Sequence, residues 1–174
     1  PGFPIENVAE LRASLATSRY PEAGDALRFF EEAERRAAAL PGVVSAGVVG
    51  PIPNLQGDGL DTTYSTSEMA SRKADELPRG AYITASPGGW ETLRIPMIAG
   101  RGIEKLDRET TEAVAVINET GARKLWPGRS PLGERVKLTR LNRHVKIVGV
   151  ARDLTPAQPT EPVIPQFFVP AAQA

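Results

Sequence analysis

Near neutral pH, histidine is the side chain most often recruited as a general base. This sequence has one, His144, just before the apolar run Val145–Val150. Such a base needs a group that orients it, and the surrounding stretch 139–150 contains no Asp or Glu. His144 therefore reads as a surface or structural residue at the start of a strand. The serines offer no nucleophile elbow. G-x-S-x-G is absent, and in "ASPGGW" (85–90) Ser86 precedes a proline, which suits a helix cap. Cysteine is also absent, which excludes a thiolate nucleophile, a disulfide framework and a thiolate zinc site. A transition-metal centre would have to rest almost wholly on carboxylates. Asp58, Asp61, Glu104, Asp107, Glu109 and Glu112 fall in expected loops without EF-hand spacing. They read as solvated charge, and nothing marks a pair of them for glycoside hydrolysis. "GDGLD" (57–61) places acids where a phosphate cradle needs bare amides, and "SPGGW" is too short for G-x-G-x-x-G. No catalytic, cofactor-binding or metal residues are assigned, and partner-binding residues stay unassigned.

One stretch is chemically biased. From Gly121 to Lys146 there are eight Lys/Arg, namely Arg123, Lys124, Arg129, Arg135, Lys137, Arg140, Arg143 and Lys146, against Glu134 alone. These could contact phosphates, but Trp126 is the only aromatic among them and makes no base-stacking platform. The acids at 104–119 are expected to neutralise the bias in space. Nucleic acid is not expected as a partner, and an exposed polar face or protein-contact surface is the simpler reading.

These residues must be held by short elements, because 16 Gly and 16 Pro punctuate the 174-residue chain. Ala9, Leu11, Ala13 and Leu15 alternate with polar residues, a period of two that predicts a strand. A helix is expected over 22–40, with Ala23, Leu27, Phe30, Ala33, Ala37 and Leu40 on one face and Glu31–Arg35 and Glu32–Arg36 pairs opposite. Pro41-Gly42 stops it and Val43–Val49 follows as a second strand, so 8–49 reads strand–helix–strand. Gly50–Gly59 is a loop. Strands are expected near 60–66 and 80–85, with a loop or short helix over 67–78 between them. A short helix opened by Ser86-Pro87 runs through Trp90 and Leu93, and the segment 94–103 is extended. A strand over 113–117 leads to a helix over 119–126 capped by Asn118, which Pro127-Gly128 ends. Strands over 135–138 and 145–150 are joined by a turn near Leu141-Asn142, and "VIPQFFVP" (163–170) is the last strand.

The length allows one domain or two small subdomains. Composition is that of a folded domain, 41% hydrophobic and 24% charged, with a net charge of +0. That balance removes any global attraction to nucleic acid or anionic lipid. The charge-free run 37–57 is long enough to cross a membrane, but Pro41, Gly42, Pro51, Pro53, Asn54 and Gln56 interrupt it. The chain is expected to be soluble as it stands. It begins with Pro1 and reads as excised from a longer protein.

In order and spacing, "LPGVVSAGVVGPIP", "SPGGWETLRIPMIAGRGIEKLDRE", "AVAVINETGARKLWPGRSPLGERVKL", "VKIVGVARDL" and "FFVP" resemble the MacB-like periplasmic core domain of ABC-transporter permeases of the FtsX/MacB type. The variant looks closest to an orphan permease without a fused ATPase. The resemblance implies an α+β fold: a β-α-β, half porter-like unit over 1–52, then a mixed β-rich inserted subdomain with short helices over 53–174. The resemblance implies a second β-α-β unit after "FFVP", expected to be missing from this sequence, so the face around 8–49 is expected to pack on a neighbour or a second copy. The resemblance further implies a non-catalytic periplasmic domain, on the extracytoplasmic face of the bacterial inner membrane. It would couple ATP-driven helix motion to the handling of a substrate or partner. The implied partners are the permease's own transmembrane part, a separate cytoplasmic ATPase and a periplasmic adaptor. The alternatives are a soluble binding module using 121–146 and a hydrolytic enzyme built on carboxylates or His144.

Overall fold

A computed structural model describes residues 6–16, 18–20, 22–50, 60–69, 71–154 and 162–174. The loop expected over 50–59, with Asp58 and most of "GDGLD", lies largely outside the described residues. Seven strands make one mixed sheet: β1 (Leu60–Ser65), β2 (Arg79–Ala85), β3 (Met97–Gly100), β4 (Val114–Asn118), β5 (Arg135–Leu138), β6 (Arg143–Ala151) and β7 (Gln166–Pro170). Three α-helices accompany it, α1 (Ala23–Ala38), α2 (Pro87–Leu93) and α3 (Glu119–Leu125). The order across the sheet is β3-β6-β4-β7-β2-β1-β5, and β5 also pairs with β6. Six strands thus close into a barrel, which leaves none of them an open edge, and β3 lies on the C-terminal half of β6. β2–β7 and β4–β6 are parallel, and the other pairings are antiparallel.

Alternation along the strands divides the apolar residues into two cores. Tyr64, Ile117, Leu138, Ile147 and Phe167 belong to one cluster, closed by Leu125 and Trp126 of the α3 region. Ile83, Val116 and Phe168 point the other way and pack with Trp90, Leu93, Ile95 and Leu154. Neighbouring residues therefore serve opposite cores, as a period of two requires when both faces are covered. β6 serves both by means of a bulge. Ala115 pairs with Ile147 but Val116 with Gly149, so Val148 is extra and joins the second cluster while Val150 returns to the first. Gly149 is needed there, since a Cβ would lie 2.0 Å from the carbonyl oxygen of Arg101.

The first fifty residues differ from the expectation. Residues 8–16 form no strand and are almost entirely exposed, with Leu11 at 96%. Over 43–49 the chain makes a single β-bridge, Val49 to Ala85, and Val44 is 99% exposed. The β-α-β unit is therefore not formed among the described residues. A strand needs a neighbour for its amides and a surface for its apolar face, and in these two segments only Val49 finds both, at Ala85 and the second core.

The helix between them is present, two residues shorter at its C-terminal end than expected. Asp25 in its first turn and Arg35 and Arg36 in its last suit the helix dipole. Both arginines converge on Glu32, at 2.7 and 2.6 Å, so Arg35 turns to Glu32 rather than Glu31. These bonds hold the Glu32 carboxyl down at about 2. No helix among the described residues is long and apolar enough to cross a membrane.

Among the described residues the α1 region meets the barrel mainly at the start of α2, and Arg94 also donates to the Glu6 carbonyl at 3.4 Å. Ser86 Oγ accepts from Gly89 N, capping α2, and also from Val48 N, both at 3.0 Å. Ser86 N donates back to the Val48 carbonyl and Gly50 N donates to the Thr84 carbonyl. The Thr92 hydroxyl donates to Ser45 Oγ. The backbones touch here because Gly47, Gly88 and Gly89 lack Cβ atoms; one at Gly89 would lie 2.3 Å from the Val48 carbonyl oxygen.

Candidate functional site

His144 lies on β6 with its side chain exposed, paired in register with Lys137 of β5. Among the described residues no carboxylate hydrogen-bonds to it, so it lacks the orienting acid that general-base chemistry needs. Nor do the described residues bring three His, Cys, Asp or Glu together at a metal-binding distance.

The basic stretch is largely neutralised, partly by acids from 104–119 as expected. Glu112 accepts from Arg135 and, at 3.2 Å, from Lys146. Glu119 pairs with Arg123 at 3.3 Å. Arg129 pairs with Glu68 at 2.6 Å and with Glu134 at 4.0 Å. Arg140 stacks over the Tyr82 ring at 5.6 Å, and Arg143 donates to the Gln173 carbonyl. Trp126 is 2% exposed, so it packs and offers no stacking surface.

One expected loop charge is not solvated. Asp107 is buried and accepts from both Arg101 guanidinium nitrogens, at 2.8 and 2.7 Å, and from Glu104 N at 2.9 Å. The bidentate geometry pushes Arg101 above the ordinary guanidinium range. It ties the loop after β3 rather than forming a reactive carboxylate. Glu104, Glu109 and Glu112 are exposed in loops, but Asp61, expected in a loop, is exposed on β1 and lies 3.6 Å from Arg79.

The polar groups that are most enclosed all hold backbone. Asn118 is fully buried at the end of β4; its Oδ1 accepts from Gly121 N, capping α3, and from Gln166 N, both at 2.9 Å. Its Nδ2 donates to Asp153 Oδ1 at 2.7 Å and to the Ile164 carbonyl at 3.1 Å. Asp153 also accepts from the amide and hydroxyl of Thr120. Gln166 clasps both backbone groups of Leu154, and Gln173 bridges Val114 N to the 108–112 loop. Sequence reasoning reached Asn118 as a cap but missed Asp153, Gln166 and Gln173. A polar residue inside the apolar run "VIPQFFVP" was the one visible signal.

Recesses among the described residues include the following two. A shallow one of about 290 Å³ lies over Ala122 and Trp126, between Arg123 and Arg129. A groove of about 700 Å³ runs between the outer wall of β5–β6 and the segment 65–77, lined by Arg72, Lys137 and His144 among others. Neither contains an arrangement for covalent or acid–base catalysis.

A family model, the MacB-like periplasmic core domain, matches residues 6–174. No curated protein matches the chain. The fold resembles the extracellular domain of the ABC-type transporter YknZ from Gram-positive bacteria, with a TM-score of 0.56 and 18% identity over 82% of this chain. It also resembles the periplasmic region of MacB from Actinobacillus actinomycetemcomitans, with a TM-score of 0.53 and 11% identity over 82% of this chain. The chain spans 63% and 55% of those two structures, respectively.

Proposed function

Because the chain belongs to the MacB-like periplasmic core domain family, we propose that it is the extracytoplasmic domain of an FtsX/MacB-type permease. The observation that carries this reading is the family match over nearly the whole chain, 6–174. In the proposal the domain does no chemistry. It transmits motion between the permease's transmembrane helices, driven by a separate cytoplasmic ATPase, and a substrate or periplasmic adaptor. Two features support a mechanical role. The barrel is closed and has two dense cores, so it moves as a body. Among the described residues the α1 region meets it mainly through hydrogen bonds around Ser86, where a local opening would let the two move relative to each other. The exposed Val8, Leu11, Leu40, Val43 and Val44 support a further contact of this region with a neighbouring protein surface.

The test is the intact protein. Its reading frame is expected to encode about 20 consecutive apolar residues before Pro1 and further spans after Ala174. The product is expected in the inner membrane, with protease added outside the cytoplasm cutting within this domain, and it should co-purify with an ATPase. A product that fractionates with the cytosol and lacks apolar flanks would refute the proposal.

A further inference from the structure

Arg72, Lys137 and His144 line one groove on the outer face of β5 and β6. Ser65 of β1 pairs with Lys137 of β5, and Lys137 with His144 of β6. These three side chains therefore form one row across three strands. Their strand neighbours Tyr64, Leu138 and Val145 fill the barrel, so alternation turns the row outward. Opposite it, the segment carrying Met69, Arg72 and Leu77 forms the second wall, and Thr139 and Asn142 also line the groove.

Most other cations of the basic stretch have a partner, as described above. Arg135 at the groove's end is held by Glu112, and Glu134, the one acid lining it, faces Arg129. Among the described residues, Arg72 and Lys137 have no carboxylate within ion-pair distance. Two uncompensated cations and an imidazole thus share one recess with hydroxyl and amide donors from Ser65, Ser67, Thr139 and Asn142. That set matches a doubly charged oxyanion, which accepts several charge-assisted hydrogen bonds at once. The groove's volume is that of a small-molecule site rather than of a single ion, and Met69 and Leu77 give it an apolar side.

We propose that this groove binds a phosphate-type oxyanion, held by Lys137, Arg72 and the His144 imidazole, with room for an attached apolar group. The site goes beyond the mechanical role and does not rest on it. The charged groups that line the groove with His144 are Arg72, Lys137 and Arg135, which are positive, and Glu134, which is negative.

His144 is the only histidine, so its imidazole proton resonances report on the site without ambiguity. They are followed by NMR at one pH as inorganic phosphate replaces chloride at equal ionic strength. The imidazole resonances are expected to shift saturably with phosphate, and the Lys137→Gln and Arg72→Gln variants are expected to lose that shift while their other amide resonances stay in place. A short-chain phosphatidic acid below its micelle concentration distinguishes the source of the anion. Binding at least about tenfold tighter than phosphate indicates a lipid headgroup, and equal binding indicates free phosphate. Imidazole resonances that do not move with phosphate, or a phosphate effect that survives both substitutions, would overturn the proposal.

Discussion

At the scale of single residues, Asn118 separates helix capping from tertiary tying. Aspartate caps helices as well as asparagine does, so a purely local view expects Asn118→Asp to be neutral. In the fold, Nδ2 donates at 2.7 Å to Asp153 Oδ1 and also to the Ile164 carbonyl. The substitution removes both donors and sets two carboxylates against each other. We expect a loss of about 2–4 kcal/mol in urea unfolding at neutral pH, recovered in part when Asp153→Asn is added. A neutral result would mean that the site relaxes at no cost. Asp107 teaches the same lesson: in sequence it is one acid among six in loops, and its burial against Arg101 depends on how the chain folds after β3.

At the scale of elements, the joint between the α1 region and α2 depends on backbone contact that only glycine permits. Gly89→Ala places a methyl 2.3 Å from the Val48 carbonyl oxygen, which must break the paired Ser86–Val48 bonds. Hydrogen exchange at 45–50 is expected to accelerate at least about tenfold, an opening made easier by about 1.4 kcal/mol. Amides of β4, β6 and β7 are expected to keep their protection. Loss of protection throughout would show that arm and barrel unfold as one unit, and would weaken the case for motion between them.

At the scale of the whole molecule, closure of the barrel buries two of the three tyrosines. Desolvation raises the phenols of both Tyr64 and Tyr82, with Arg140 and Arg143 opposing it at Tyr82. In the unfolded chain these groups ionise near pH 10, before they do so in the fold. Their contribution to stability is therefore complete below about pH 10 and is lost as pH rises through the folded values. Urea midpoints are expected to fall between about pH 9 and pH 11, and the fall is expected to be smaller in Tyr64→Phe. An unchanged slope in that variant would mean that other groups govern the alkaline loss.

Most of the elements could be read along the chain. Helices over 23–38, 87–93 and 119–125 and the strands from β1 to β7 follow from periodicity, from the Ser86 and Asn118 caps and from Pro-Gly turns, all of which act within a few residues. The expected strands at 9–15 and 43–49 failed for the converse reason. Their alternation is local, but a strand is completed by a neighbour, and in these segments only Val49 meets one, at Ala85. Which cations gather at the groove was equally illegible. Eight cations between Gly121 and Lys146 look alike in sequence, and register across three strands decides which of them meets an acid and which faces Arg72. By itself the sequence determined the local elements, the absence of thiol chemistry and a family signature. Barrel closure, the β6 bulge and the partners of each buried polar group were decided only by tertiary structure, because they join residues that are far apart along the chain.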